Sequence, residues 1–325
     1  PQPRKLGRAT TSSISMTPLV GHHSIQARLR QLVATQKLPH ALLFYGPQGV
    51  GKATCAEALM AHLLCGPGAG PGLSIDTTSP LWPQLQAGSY PGLFRLQLTD
   101  RKSITVEATR QCISQLALSA ESWRILLVDS ADDLNGNSAN ALLKTLEEPL
   151  PQTLIILISH RPATLLPTIR SRCQAMAFLP LDDSAGRQVL SQISLPDGLD
   201  RQHLQTIWPH AGGRPGYALN LATLPPAAFK QLDQFWQKLP HWQSYEIYDM
   251  AQQLAKLFPT DEVLFDLIAQ RLGQYGRAPQ PAALAWAKLY PFLHTARTAR
   301  QTYNIQRTLV LERTLLAIVQ TAQAA

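Results

Sequence analysis

Eight residues, Gly46-Pro-Gln-Gly-Val-Gly-Lys-Ala53, restrict the possible folds of this chain more than any others. They follow a short apolar run, Ala41 to Tyr45, and open a helical pattern over 51–64, which is the strand, turn and helix context of a phosphate loop. Gly46, Gly49 and Gly51 let backbone N–H groups turn toward an anion at a positive helix N-terminus, while Lys52 is placed to reach terminal phosphates. Apolar runs of the buried-strand kind recur at 94–98, 124–128 and 154–158, with a weaker one at 175–178. Helical patterns at 106–118 and 138–147 lie between them, and an amphipathic helix at 24–36, with Ser24 as its N-cap, precedes the first strand. This alternation predicts a doubly wound α/β domain around a parallel sheet.

Residues 66–92 are rich in Gly, Pro and Ser and read as a surface excursion between the first phosphate-loop helix and the second strand. Beyond residue 182 the strand signals stop. Short helical stretches surround Gly212-Gly213, Pro225-Pro226 marks a boundary, and 229–323 is almost entirely helical apart from its prolines. The expected plan is a basic N-terminal extension (1–18), the α/β domain (19–181), a small helical domain (182–224) and a helical C-terminal domain (225–325).

The net charge of +8 suggests a nucleic-acid binder until it is located along the chain. Residues 1–56 hold seven of the 29 basic residues, Arg4, Lys5 and Arg8 among them, and none of the 21 acidic ones. The rest is close to neutral, which argues against a stand-alone DNA-binding protein, because phosphate affinity needs clustered positive charge. Cys55, Cys65, Cys112 and Cys173 show neither zinc nor disulfide spacing, and the scattered histidines His22, His23, His40, His62 and His160 show no metal spacing. The N-terminus lacks an apolar signal region and no run approaches the roughly 18 apolar residues of a membrane span, so a cytoplasmic protein without membrane contact is expected.

Two chemical deficits set the functional reading. A working phosphate loop ends in Ser or Thr, whose hydroxyl holds magnesium; here Ala53 has no oxygen, and Thr54 is rotated about 100° around the helix. The strand ending Leu127-Val128-Asp129 keeps the aspartate that supports magnesium, yet the next residue, where a base would prepare the attacking water, is Ser130. Asp132 and Asp133 begin the following turn and read as solvated or capping residues. Weak ATP or ADP binding through Gly46, Gly49, Gly51, Lys52 and Asp129 is compatible with these deficits; turnover is not.

The stretch Thr168-Ile-Arg-Ser-Arg-Cys173 resembles the Ser-Arg-Cys signature of clamp-loader subunits of the AAA+ group. Leu38-Pro-His-Ala-Leu-Leu-Phe44, Asn140-Ala-Leu-Leu-Lys-Thr-Leu-Glu-Glu-Pro149 and Leu19-Val-Gly-His22 strengthen the match, which covers about 19–180. The resemblance implies an AAA+ α/β domain, a helical lid and an all-α collar. It also implies that Arg172 reaches across a subunit boundary to ATP bound next door, a role suited to a permanently charged planar guanidinium. From spacing alone, pairing of Arg172 with a carboxylate of its own chain is the simpler reading. Ala53, Ser130 and Gly216, which stands where motor subunits carry a nucleotide-sensing arginine, select the delta-prime branch over the hydrolysing motor. Arg214 is displaced from the sensor position, and Ser159 matches a polar sensor position or ends its strand.

The family often carries a four-cysteine zinc module before the second strand, of which only Cys65 is present, so no zinc is expected. The implied partners are the motor (gamma/tau) and delta subunits and, through the complex, the sliding clamp and primed DNA. Trp236, Trp242, Tyr245 and Trp286 are candidates for interface anchors or, more simply, for intrachain core. The rival reading is an ATP-hydrolysing AAA+ subunit or remodelling enzyme that uses Lys52 and Asp129 with an unusual metal site.

Overall fold

In the computed structural model the described residues are 19–98, 103–118, 123–195, 199–276, 282–303 and 305–324. The basic extension 1–18 and the proline-rich segment 277–281 lie outside them. Five strands form one parallel sheet: β1 (Ala41–Tyr45), β2 (Leu93–Gln97), β3 (Arg124–Asp129), β4 (Thr153–Ser159) and β5 (Gln174–Ala177), in the order β2-β3-β4-β1-β5. The expected α/β architecture is present, with strand boundaries moved by a residue at most.

Chain direction explains why helices cover both faces. From β1 the chain crosses to the far edge at β2, then returns through β3 to β4, and right-handed crossovers in opposite directions place their helices on opposite faces. Accordingly α2 (Lys52–Cys65), with α1 (His23–Ala34), packs on one face, and α4 (Val106–Leu118) and α5 (Gly136–Glu147) on the other; α3 (Trp82–Gln86), α6 (Pro167–Arg170) and α7 (Asp183–Gln192) are shorter. Strand side chains alternate between the two cores. Leu42, Phe44, Ile125, Leu127, Leu154 and Ile156 join Cys55, Leu59 and Met60 of α2, while Leu43, Leu126, Val128, Ile155 and Leu157 join Cys112, Leu116 and Leu142.

Two expectations need correction. The N-cap of α1 is His22, in a left-handed conformation and without a side-chain capping bond, rather than Ser24, because the helix starts one residue earlier. His22 is held by its ring, with Nε2 2.8 Å from the Val50 carbonyl and the imidazole edge-on to Phe178. The segment 66–92 is more than a surface excursion: Leu73, Trp82, Leu85 and Tyr90 are buried in the same core as α2, and the Tyr90 hydroxyl donates to Trp123 O at 3.1 Å. Its glycines and prolines mark turns, but between them sit enough large apolar groups to displace water from the sheet. Among the described residues no cluster of three His, Cys, Asp or Glu side chains could hold a metal ion.

The remaining helices are α8 (Arg201–Ala211), α9 (Pro215–Leu221), α10 (Pro226–Gln237), α11 (Ser244–Leu257), α12 (Asp261–Tyr275), α13 (Ala282–Ala287), α14 (Leu289–Tyr303) and α15 (Arg307–Ala324). By packing, the chain separates into two compact units: residues up to Ser194 with Gly213–Tyr217, and Leu195–Gly212 with the chain from Ala218 onward. In the second unit Trp236, Trp242 and Trp286 are buried, Trp242 Nε1 donates to Phe235 O at 2.9 Å, and Tyr275 stacks on Trp286, so these tryptophans are intrachain core. Tyr245 alone of the four aromatic candidates is exposed. Asp261 at the start of α12 is shared by Arg300 and Arg307, which ties α12 to α14 and α15. No described helix is long and apolar enough to cross a membrane.

Among the described residues of the first unit, one ion pair is mostly buried: Glu57 of α2 with Arg95 of β2, with only 9% and 14% of their side chains exposed. Removing one member takes the counter-charge from a mostly buried group, whereas replacing both removes the desolvation problem altogether. Glu57→Ala is therefore expected to cost about 3–5 kcal/mol in denaturant unfolding, and Glu57→Leu combined with Arg95→Met about 0–1 kcal/mol. Equal destabilisation by the single and double variants would contradict this account.

Candidate functional site

The carboxyl ends of β1, β3 and β4 meet at one sheet edge, since Tyr45 pairs with Ser159 and Asp129 with Ile158. Ligands of open α/β sheets bind at such an edge. The loop after β1 has the backbone its glycines predict, with positive φ at Gly46 (143°), Gly49 (80°) and Gly51 (100°). Two of these glycines are also demanded by close packing. A Cβ on Gly46 would lie 2.1 Å from Phe178 O, and one on Gly49 would lie 2.3 Å from the backbone N of Tyr217.

Lys52 is the functional residue whose placement matters most. It is buried, and its Nζ donates to Gly46 O and Pro47 O, both at 2.7 Å, so the ammonium closes back on its own loop. Burial pulls its pKa down to about 8, with Asp129 and Asp132 opposing the shift. Ala53 packs its methyl against the core of that face. Asp129 sits at the end of β3 with its carboxyl pushed up by burial, an effect that Arg95 and Lys52 oppose. The loop is braced from outside as well, because Gly216 N donates to Gly49 O at 2.9 Å. Gly216 therefore brings a backbone contact to the loop in place of a sensor side chain, and Arg214 is buried with its guanidinium 3.9 Å above the Tyr217 ring. In this arrangement the lysine is turned inward, residue 53 offers no hydroxyl, and Gly49 is covered by Gly216 and Tyr217.

The residues after β3 do something the sequence did not reveal. Ser130 caps the next turn, accepting from Asp132 N, and its hydroxyl donates to Asp132 Oδ2 at 2.9 Å. Asp132 also accepts from Ser159 Oγ at 2.7 Å and from the backbone N of His160 and of Arg161. Burial raises its pKa, but these donors outweigh burial and hold the carboxyl below its usual range. It is thus neither solvated nor a simple cap but a bridge between the ends of β3 and β4. Ser159, fully buried, is consumed by that bridge. His160 beside it is kept neutral, with burial and then Lys52 lowering its pKa to about 4. The signal for this bridge was present as Ser130, Asp132 and Ser159, but nothing in their spacing states that they converge.

Arg172 lies apart from the loop, just after α6, whose Ile169 is fully buried. Its Nη2 is 2.6 Å from Glu147 Oε1, and its Nη1 donates to Thr168 O at 2.9 Å and to Ser171 Oγ at 3.4 Å. The Arg172 side chain is 35% exposed. Arg170 is exposed on the same surface. Within this single chain, then, the local carboxylate partner anticipated as the simpler alternative exists, and it is Glu147.

The Lys52 geometry predicts a pH signature. Its folded pKa of about 8 lies below the ordinary 10.5, so between these values the unfolded chain holds more protons and Lys52 adds stability as pH rises. The difference in urea-unfolding free energy between wild type and Lys52→Met is expected to grow in favour of wild type from pH 8 to pH 10.5, after which it levels. A difference independent of pH would mean that the ammonium is hydrated rather than buried.

A family profile described as "DNA polymerase III, delta subunit" matches residues 21–182. The DNA polymerase III subunit delta' of Pseudomonas aeruginosa is 37% identical over 193 residues, 58% of each chain. That of Bacillus subtilis is 33% identical over 170 residues, 50% of each chain, and the replication factor C small subunit of Natronomonas pharaonis is 29% identical over 187 residues, 57% of this chain and 51% of the relative. The chain thus spans about half the length of the curated relatives it matches. Among solved structures, a gamma subunit-related protein from Thermotoga maritima aligns over 90% of this chain and 99% of its own at 16% identity, with a TM-score of 0.46. The profile match over residues 21–182 and the delta' relatives make the chain a delta-prime-like member of the clamp-loader family.

Proposed function

We propose that this chain is an ATPase-inactive clamp-loader subunit of a DNA polymerase III holoenzyme, acting through surfaces and a cation it presents to neighbours. The observation that carries the reading is the inward hydrogen bonding of Lys52 to Gly46 O and Pro47 O. With it stand the absent oxygen at Ala53 and the capture of Ser130 by Asp132, which leaves no base beside Asp129. The phosphate loop of Gly46, Gly49, Gly51, Lys52 and Asp129 is then vestigial, binding ATP or ADP weakly at most, and no zinc or other cofactor is required.

In this reading Arg172 is an arginine finger in trans. The physical argument is that a guanidinium fixed on a short, core-anchored helix and exposed at the surface can stabilise spread phosphate charge at a neighbour's site without turnover of its own. The neighbour is an ATP-hydrolysing motor (gamma/tau) subunit, and the hetero-oligomer also holds a delta subunit. Residues 182–224 form the lid and 225–325 the collar through which the subunits assemble. The complex works in the cytoplasm, opening a ring-shaped sliding clamp and placing it on primed DNA.

Reconstitution with the motor and delta subunits tests this. Arg172→Ala is expected to leave assembly on size-exclusion chromatography intact and to depress ATP turnover at the adjoining motor site by roughly a thousandfold, which appears in bulk as the loss of that site's share. Turnover equal to that of the wild-type complex would remove the finger assignment.

A further inference from the structure

The Arg172–Glu147 contact is poorly suited to a purely stabilising role. Its members are 35% and 48% exposed, and exposed pairs of this kind contribute little to stability. Glu147 moreover ends α5, where the negative pole of the helix disfavours a carboxylate. Glu148, the next residue, is exposed. A carboxylate is thus kept at an unfavourable position and used by one guanidinium.

The geometry around that guanidinium is that of a clamp. Thr168 O and Ser171 Oγ accept from Nη1 on the α6 side, and Glu147 accepts from Nη2 on the α5 side. Both supports are rigid: α6 is anchored by the fully buried Ile169, and α5 by Leu142 and Leu146. An arginine has five N–H donors, so three contacts fix the plane of the group while Nε and further hydrogens stay available to an outside anion. Long arginine side chains otherwise sample many rotamers, and confining them beforehand is how a surrounding shell raises the effectiveness of a charged group.

We propose that Glu147 is a positioning residue for Arg172, holding the guanidinium extended and oriented toward a phosphate group presented by another subunit. This rests on the trans role of Arg172 given above. Glu147 itself touches no nucleotide; it acts through the arginine.

The test uses the reconstituted complex with Glu147→Gln, Arg172→Ala and the double variant, following ATP turnover, KM for ATP, assembly and thermal unfolding. Glu147→Gln is expected to lower kcat at the adjoining site about ten- to a hundredfold, the scale of a misplaced catalytic group, with KM, assembly and unfolding temperature unchanged. In the Arg172→Ala background it is expected to have no further effect, since the two residues act as one unit. If Arg172→Ala depresses turnover and Glu147→Gln does not, the positioning role is wrong while the finger stands. If Glu147→Gln raises turnover, the carboxylate restrains the arginine, which also overturns the proposal. If Arg172→Ala itself changes nothing, the finger reading fails and this inference falls with it.

Discussion

The structure turns on the burial of one ammonium group. A lysine at the head of a phosphate loop is useful when its charge points into an anion site; here the charge is withdrawn from solvent and bound by the carbonyls of Gly46 and Pro47. Those bonds satisfy a buried cation in a region of low polarity, where leaving it unpaired would be costly. Residue 53 offers no hydroxyl, and its methyl packs against the core.

The edge of the sheet follows the same pattern. In a nucleotide hydrolase the ends of β1, β3 and β4 present polar groups outward to ligand, metal and water. In this chain Ser130, Ser159 and two backbone amides are directed at Asp132, while Gly216 covers Gly49. The polar groups at these strand ends bond to one another across β3 and β4. What remains accessible is Arg172, on a separate surface, clamped by Thr168, Ser171 and Glu147.

Much of this was legible beforehand, for physical reasons that particular residues make plain. β1, β3 and β4 are continuous apolar runs because both of their faces are covered; a strand with one face in water would alternate instead. The glycines of the loop announced positive φ, and the lack of a hydroxyl at residue 53 and of a carboxylate at residue 130 can be read directly from residue type. The convergence of Ser130, Asp132 and Ser159 was not legible, since it depends on the register between β3 and β4, which neither strand encodes alone. The packing of Leu73, Trp82, Leu85 and Tyr90 was masked by the surrounding glycines and prolines, and the His22 cap by the more familiar capping chemistry of Ser24. The Glu147 contact joins positions 25 residues apart, and only the approach of α5 to α6 creates it.

The central claim is that this cradle does not turn over nucleotide. Its most direct measurement is magnesium-dependent ATP hydrolysis by the purified chain alone, compared with Lys52→Ala in the same preparation. The account predicts that both give the same background rate. A wild-type rate above background that disappears with Lys52→Ala would contradict it.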